Sequence, residues 1–405
     1  MSFQQGLSGL AAASQNLDVI GNNVANAQTV GFKQGTAEFA AMYANSLATS
    51  QGTQIGIGTQ VAAVANEFTQ GNVNTTGNPL NVAVNGNGFF QMSSNGSLSY
   101  SRDGEFQLDK NGYIVNASGQ NLMGYPANSA GGISPTTPVK LQVSTADLTP
   151  VATSTATLGV NLNSNDTAPT NTFAATDSTS YNSSTALTVY DSQGDAHTLT
   201  SYFVKTGNNA YDVYEAEDGT VLNGGAAVGS LNFGTSGTLS ANQTFNLSLT
   251  NSNGSATPQS IALTFPSTST TQYGVAFAVN TNTQNGYTTG QLSGYSISAD
   301  GTVQGNYSNG QSRPMGQIVL ANFANTQGLT ALGNNQFAET AASGQAQIGS
   351  PQSGNLGNLQ AGALEQSNVD LTTQLVAMIQ AQNIYQANSQ TIKTEDTIMQ
   401  TLVNL

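Results

Sequence analysis

Residues 364–405 decide the fold of this chain, and they read LEQSNVDLTTQLVAMIQAQNIYQANSQTIKTEDTIMQTLVNL. An apolar residue recurs here at every seventh position. The row consists of Leu364, Leu371, Met378, Tyr385, Ile392 and Met399. A period of seven corresponds to 3.5 residues per turn, the spacing that lets one helix pack along another. Because no Gly or Pro follows Gly362, the segment predicts a helix of about 55–60 Å at 1.5 Å per residue.

The rest of this predicted helix carries very little charge. Further apolar residues, among them Leu375 and Leu402, flank the row, and the remaining positions are mostly Gln, Asn, Thr, Ser and Ala. The charged residues after Asn368 are Asp370, Lys393, Glu395 and Asp396. A helix that faces water normally carries interspersed charge. The composition therefore predicts that other protein covers this helix.

The first residues show a matching pattern. They place Phe3, Leu10, Leu17 and Val24 in a second seven-residue row, with Leu7 and Ile20 beside it. Three glycines interrupt this segment, and each costs about 1 kcal/mol of helix stability relative to Ala. We therefore expect the N-terminal helix to need a partner helix. The two rows predict that the chain ends pair with each other and with neighbouring copies, and that their order is coupled to assembly.

Composition excludes several classes of function. The chain has 405 residues, 7% of them charged, and a net charge of −14, against the usual quarter or so of charged residues. Seven basic residues cannot supply a phosphate-binding patch, so neither nucleic acid nor an anionic membrane surface is an expected partner. There is no Cys. Because no basic residue precedes Lys33, the start of the chain does not have the pattern of a cleaved secretory signal.

Between the ends the sequence predicts β structure. Asn-Gly and Asp-Gly pairs, the strongest hairpin signals, first occur at Asn85 and last at Asn309. We predict an α+β, mainly β chain, in which long terminal helices pair as a coiled-coil-like unit and enclose two nested β domains. The predicted segments are 1–30 with 364–405 for the terminal helical polymerisation domain, 31–70 for a linker region, 71–147 with 290–363 for the first β domain, and 148–289 for an inserted outer β domain.

Several local predictions can be checked individually. Glu38–Tyr43 could form a short helix, and Tyr273–Ala278 has the pattern of a strand. Residues 163–185 are poor in apolar side chains and predict a loop or a domain boundary. Residues 51–59 and 340–362 are rich in Gly, Gln or Ser and predict flexible linkers.

Three groups of residues could suggest chemistry, but each has a simpler interpretation. Gly86-Asn87-Gly88 is followed by the strand-like Phe89-Phe90, whereas a dinucleotide loop would be followed by a helix. Asp103, Glu105 and Asp109 could form a carboxylate pair, but hairpin turns favour Asp. His197, the single His, has Asp191 and Asp195 nearby and could contribute to a weak metal site; a histidine at a strand edge is the favoured interpretation. We predict no catalytic residue, cofactor or metal.

Motifs at both ends resemble the bacterial flagellar rod and hook proteins. The N-terminal motif is LDVIGNNVAN followed by TVGFK, residues 17–26 and 29–33. Within it, the family motif residues are Asn22, Asn23, Asn26, Gly31, Phe32 and Lys33. The C-terminal motif comprises SNVDL (367–371), MIQAQ (378–382), YQAN (385–388) and QTLVNL (400–405). NPLNVAVNGNGFF (78–90) and RDGEF (102–106) also fit, so the resemblance covers roughly half the chain.

The resemblance implies a structural subunit rather than an enzyme. The length of the chain and its extra β segment favour the hook member of the family. Hook proteins form a flexible, curved tube outside the cell, which transmits torque from the rod to the filament. The resemblance further implies β domains as outer shells, export through the flagellar type III apparatus, and contacts with many copies of itself and with rod, hook cap and hook–filament junction proteins. The polymerisation interface is then expected at the apolar residues of both ends: Phe3, Leu7, Leu10, Leu17, Ile20, Val24, Leu364, Leu371, Leu375, Met378, Tyr385, Ile392, Met399 and Leu402.

Alternatives remain at this stage. The distal rod protein of the same family is the nearest one. An exported, adhesin-like β protein would instead bind a glycan or host surface through residues 148–289, with the helices only bringing chains together. A surface hydrolase is the least favoured, because the chain has one His and no Cys.

Overall fold

The computed structural model describes residues 2–42, 56–128, 131–251 and 253–403. The chain is mainly β, and helices α1 (Ser2–Ala25) and α2 (Leu371–Val403) at its two ends pack against each other. This confirms the predicted fold class. Tyr43, residues 51–55 of the predicted linker, and Asn404 and Leu405 of the C-terminal motif lie outside the described residues.

The chain divides into two compact units. The first comprises Met1–Thr145, Gly294–Asn306 and Ser312–Leu405, and the second comprises Ala146–Ser293 and Tyr307–Gln311. The first unit therefore contains both terminal helices together with β structure. The finer division into four predicted domains stays a prediction, although the boundaries predicted at 148 and 289 fall close to those of the second unit.

A β-hairpin follows α1, where a linker and a short helix were predicted. Strand β1 (Gly35–Met42) pairs antiparallel with β2 (Gly58–Asn66), and both contact α1. The helix predicted over Glu38–Tyr43 is thus wrong up to Met42. A short apolar run cannot distinguish helix from strand by itself, and here the long-range partner strand decides.

The remaining strands of the first unit lie on both sides of the second unit in sequence. The first group consists of β3 (Val73–Thr75), β4 (Val82–Asn85), β5 (Phe89–Ser94), β6 (Ser97–Ser101), β7 (Phe106–Leu108), β8 (Ile114–Asn116), β9 (Asn121–Pro126) and β10 (Val139–Lys140). Strand β5 directly follows Gly88, which confirms a strand rather than a phosphate-binding helix there. Phe89 and Tyr100 are buried in an aromatic cluster of this unit.

The second unit is a β-sandwich. Its strands are β11 (Thr155–Asn163), β12 (Ser183–Tyr190), β13 (Ala196–Gly207), β14 (Ala210–Glu217), β15 (Thr220–Val221), β16 (Gly229–Asn232), β17 (Gln243–Leu249), β18 (Gln259–Phe265), β19 (Thr271–Tyr273) and β20 (Ala278–Gln284). One sheet contains β11 and β17–β20, the other β12–β16, and their inner faces share one apolar core. The loop predicted over residues 163–185 is confirmed for 164–182, but Asn163 ends β11 and Ser183 begins β12. The strand predicted over Tyr273–Ala278 is wrong, because β19 ends at Tyr273 and β20 begins at Ala278.

Glu215 is an acid inside this sandwich. It lies on β14 opposite Ser201 of β13, it is fully buried, and neither of its carboxylate oxygens has a hydrogen-bond partner among the described residues. Burial raises the pKa of Glu215 from 4.5 to about 8, and it outweighs the opposing effect of the Ser201 side chain. The folded unit therefore holds a proton that the unfolded chain releases above pH 4.5.

This burial predicts a pH dependence of stability. Because the folded-state pKa is the higher one, the free energy of unfolding should fall as pH rises between about 4.5 and 8. Glu215→Gln removes this contribution, so the difference between the unmodified chain and the variant should change by about 1.4 kcal/mol per pH unit in that window. The free energy of unfolding is measured at several pH values by urea unfolding, with tyrosine fluorescence as the probe. A difference that is constant with pH would show that Glu215 is ionised in the folded unit.

The chain returns to the first unit before its last helix. These strands are β21 (Leu292–Ile297), β22 (Thr302–Tyr307), β23 (Ser312–Ile318), β24 (Leu320–Asn322), β25 (Thr330–Gly333), β26 (Gln336–Ala338), β27 (Gln347–Gly349), β28 (Asn358–Ala361) and β29 (Ala363–Glu365). Strands β27 and β28 lie within residues 340–362. The prediction of a flexible linker there is therefore wrong. Strand β28 pairs with β4 and β29 with β3.

Leu364 is consequently not part of the C-terminal helix. It lies in β29 opposite Asn74 and is buried, so its prediction as a helical interface residue is wrong. The helix begins seven residues later, because Asp370 caps it. The Asp370 Oδ1 accepts hydrogen bonds from the backbone N–H groups of Thr372 (2.8 Å) and Thr373 (3.2 Å), which satisfies donors that a helix start otherwise leaves unpaired.

Candidate functional site

Helices α1 and α2 form an antiparallel pair. A Cβ added at Gly6 would meet Ile392 and one added at Gly9 would meet Asn388, while at the other end the Asn23 Nδ2 donates to the Gln374 side chain at 3.2 Å. As residue numbers rise along α1, those of their partners fall along α2. This register puts the residues of α2 after about 396 beyond Ser2, where α1 begins.

Small residues form the seam between the two helices. Ala13 and Ala381 are buried and border one cleft between the helices, and Ile20 of α1 is buried as well. A Cβ at Gly9 would lie 2.8 Å from the Asn388 Oδ1, and one at Gly6 would lie 3.1 Å from the Ile392 Cγ1. The glycines that weaken α1 as an isolated helix therefore let α2 approach closely.

The seven-residue rows do not form this seam, contrary to the simplest form of the prediction. Leu371, Tyr385 and Met399 are exposed, and Met378 and Ile392 are half-buried. A straight helix rotates a seven-residue row by about 20° per heptad. The row therefore starts beside the seam at Leu371 and meets α1 only near Ile392.

The displaced apolar residues make a surface that we call the open face. Successive residues of a helix are rotated by about 100° around its axis. When the angles are measured from the seam, the displaced apolar side chains of both helices lie on the same side of the pair. Its most exposed members are Phe3 (51%), Leu7 (52%), Leu371 (47%), Leu375 (45%) and Ile379 (58%). Leu10, Leu17 and Val24 lie on the same side and are half-buried. Leu402 is 61% exposed on the part of α2 beyond α1.

The opposite side of the pair contains a cleft of about 460 Å³. Its floor consists of Ala12, Ala13 and Ala381, and Phe39 of the hairpin and Ile384 of α2 stand at its edges. Phe39 is 49% exposed and Ile384 is 54% exposed. The helix pair therefore has an apolar surface on each of two opposite sides.

A buried ion triad lies where the helix pair meets the β structure of the first unit. The Lys33 Nζ contacts the Glu365 Oε1 at 2.7 Å, and the Arg102 Nη1 contacts the Glu365 Oε2 at 3.4 Å. Lys33 Nζ also donates to the carbonyl of Thr69, and Arg102 lies over the ring of Phe89. Burial lowers the pKa of both Lys33 and Arg102, and Glu365 opposes the shift in each case. One carboxylate therefore holds two buried cations.

Two asparagines complete this region, which we call the junction: Asn23, Lys33, Arg102, Glu365 and Asn368. The Asn23 side chain bonds both the N–H and the carbonyl of Gly35, and the Asn368 side chain accepts from the N–H of Gln34 and donates to the carbonyl of Glu67. These amides tie α1, the hairpin and the segment before α2 together. The junction thereby fixes the direction in which the helices leave the β structure.

The other motif residues support the same junction. The Asn26 Nδ2 donates to the carbonyl and side-chain oxygen of Asn22, closing the turn after α1. Gly31 has a φ of 68°, and a Cβ there would lie 2.6 Å from the backbone N of Asp103, so no other residue fits without strain. Phe32 is half-buried next to Lys33. The motif is thus structural, and sequence reasoning missed Arg102 and Glu365 as its partners. The signal was the presence of isolated charges in a charge-poor chain.

The acidic residues and the histidine that suggested chemistry take part in turns and in a contact with Asp218. The Asp103 and Asp109 side chains accept backbone hydrogen bonds in turns, as the simpler interpretation predicted. His197 lies near the start of β13, with its Nδ1 2.7 Å from the Asp218 Oδ2. Burial alone would lower the pKa of His197, but Asp218 and Asp191 raise it. Within the described part of the chain, no group of three or more His, Asp or Glu side chains is placed to hold a metal. No described helix is long and apolar enough to span a bilayer.

Four family models match successive parts of the chain. They are the flagella basal body rod protein (residues 3–33), the flagellar hook protein FlgE/F/G D1 domain (83–157), the flagellar basal body protein FlaE D2 domain (161–287) and the flagellar basal body rod FlgEFG protein C-terminal (360–405). The matches to the first and last models contain α1 with the motif and α2 with Glu365.

Similar proteins extend over the full length. The flagellar hook protein FlgE of Salmonella typhimurium is 47% identical over 414 residues, and that of Escherichia coli strain K12 is 46% identical over 412, with all of both chains covered in each case. Among solved structures, the Helicobacter pylori flagellar hook protein FlgE2 is similar in fold at a TM-score of 0.55 and 14% identity, covering 72% of this chain and all of the other.

Proposed function

The chain belongs to the flagellar hook protein family and is a structural subunit of the flagellar hook, and we propose that it builds the hook by burying the open face of its helix pair against sister copies. The Salmonella typhimurium and Escherichia coli relatives, which match over the full length, are hook proteins, so the distal rod alternative is not retained. Family membership also supports a structural rather than an enzymatic role.

The open face is the observation that carries this proposal. Five large apolar side chains on one side of the pair are about half exposed, and α2 has little charge around them. Burying each Leu, Ile or Phe contributes roughly 1.5–3 kcal/mol. A subunit concentration that favours such contacts also favours ordered helices by mass action. We therefore propose that order in α1 and α2 increases on polymerisation.

The finer assignments follow from the family. We propose that the helix pairs line the inner wall of a curved tube that bends while it transmits torque from the rod to the filament. After Ile379, the side of α2 opposite α1 carries polar residues such as Asn383, Gln390 and Thr394 in place of large apolar ones, so we propose that this side faces the channel and that sister copies cover the rest of the helix. Rod, hook cap and hook–filament junction proteins are the proposed further partners, and the type III apparatus is the proposed route to an extracellular location.

Removing residues 371–405 tests the role of the helices. Because Leu364 and Glu365 belong to the sheet and the junction, a chain that ends at Asp370 should keep its β structure by circular dichroism and should form no tubes by electron microscopy. Tubes formed by the shortened chain would exclude the helix pair as the assembly element.

Hydrogen exchange tests the coupled ordering. Amides of α1 and α2 should exchange faster in dilute monomer than in the polymer, while β11–β20 should be protected equally in both. Equal protection of α2 in the two states would contradict the coupling.

A further inference from the structure

The two apolar surfaces of the helix pair differ in shape. The open face presents protruding side chains, such as Leu7, Leu375 and Ile379, whereas the cleft on the other side has a floor of alanines between α1, α2 and the hairpin. No charged side chain is among the described residues that line the cleft. Apolar side chains on a helix can insert into a groove of this kind. The lining also includes the uncharged polar residues Gln5, Asn16, Thr59 and Asn388. The protruding side chains of the open face and this uncharged, partly apolar cleft are therefore complementary in shape.

Their opposite orientation sets the type of contact. Contact between two open faces would be isologous, and it would close after two copies. Contact between the open face of one copy and the cleft of the next leaves one free surface of each kind at the ends, so it can repeat without limit. A contact of the second type is sufficient to join many copies of one chain through a single pair of surfaces.

The cleft is also large enough for such an insertion. Its volume of about 460 Å³ lies within the range of sites that enclose whole ligands. Ile384 and Phe39 are exposed at its edges, so insertion of apolar side chains would bury surface on both copies. The cost of exposing these edges to water would then be removed in the polymer.

We propose that the cleft between α1, α2 and the β1–β2 hairpin receives the open face of a second copy of this chain. This inference rests on the proposed polymerisation through the helix pair and adds the direction and pairing of the contact. The contact is heterologous, and each subunit supplies protruding side chains to one neighbour and a cleft to the other.

Cysteine cross-linking tests the pairing without background, because the chain has no Cys. Two double variants combine Ile384→Cys in the cleft with Leu7→Cys or Leu375→Cys on the open face. A disulfide requires Cα atoms within about 7 Å. Tubes are assembled, checked by electron microscopy, oxidised mildly and analysed on non-reducing gels. Leu375→Cys and Leu7→Cys alone serve as controls for contact between open faces.

At least one double variant is expected to give a ladder of covalent multimers, and the single variants are expected to give none. The open-face position that cross-links to Ile384→Cys shows how far neighbouring helix pairs are shifted along their axes. If a double variant does not polymerise, the two single variants are mixed into an excess of unmodified subunit, and the expected product is a mixed covalent dimer. Dimers from Leu7→Cys or Leu375→Cys alone would overturn the heterologous contact. Tubes without any cross-link to Ile384→Cys would overturn the pairing but leave the proposed function intact, whereas an unmodified chain that forms no tubes would overturn the proposed function itself.

Discussion

Replacing Glu365 by Ala is expected to lower the free energy of unfolding of the first unit by about 3–5 kcal/mol, because removing one partner of a buried ion pair leaves an uncompensated buried charge. Loss of the Glu365 carboxylate leaves two buried positive charges without their partner, since Lys33 and Arg102 share it and are both buried. The N–H of Gly71 also loses its acceptor, the Glu365 Oε1. Urea unfolding of the full chain, with near-ultraviolet circular dichroism as the probe, measures the change.

Glu105→Ala is the matched control, because Glu105 is an exposed acid in the same unit, and we expect a change within about 0.5 kcal/mol. A second comparison uses Lys33→Met. If the triad acts as a unit, Glu365→Ala should cost less in the Lys33→Met background than in the unmodified chain. Equal losses for Glu365→Ala and Glu105→Ala would show that the triad does not hold the junction.

Introducing charge into the open face is expected to abolish assembly at ordinary concentrations. Leu375→Glu combined with Ile379→Glu removes two apolar contacts of roughly 1.5–3 kcal/mol each, and every subunit of the polymer loses both. The critical concentration should therefore rise by more than about a hundredfold, since each 1.4 kcal/mol corresponds to a factor of ten. Sedimentation of polymer at a series of subunit concentrations measures this.

The control adds the same charge elsewhere on the same helix. Gln390 and Thr394 are exposed on the side of α2 away from α1, and like Leu375 and Ile379 they are four residues apart, so Gln390→Glu with Thr394→Glu should assemble at nearly the unmodified concentration. The circular dichroism spectra of both variants should match that of the unmodified monomer. If the two pairs raise the critical concentration equally, charge in general and not the open face is responsible.

The terminal helices could be predicted from the sequence because their apolar seven-residue rows extend over many residues. The sequence did not predict which residues form the seam between the two helices. A seven-residue row indicates an interface, but it does not tell whether the partner is the other end of the same chain or another copy. In the structure the partner is the other end of the same chain: a Cβ at Gly9 would lie 2.8 Å from the Asn388 Oδ1. From the sequence alone, a glycine at this position indicates only a less stable helix.

The turns show the same division between local and long-range information. Asn95-Gly96 and Asp218-Gly219 have positive φ at both residues, as hairpin turns of their type require. Asn334 and Asn335 adopt the same conformation without a Gly, so the rule does not find them. The hairpin β1–β2 pairs residues 16 to 31 positions apart, from Met42 with Gly58 to Gly35 with Asn66. Glu365 lies 332 positions from Lys33 and 263 from Arg102, and no local pattern predicts these contacts.

The reactivity of a single cysteine at Ile379→Cys tests the burial of the open face most directly. In the monomer this position is exposed and should react with a maleimide at the rate of a free thiol. In assembled tubes the rate should fall at least about tenfold, because a sister subunit covers the side chain. An equal rate in monomer and tube would show that the open face stays in water and that another surface holds the hook together.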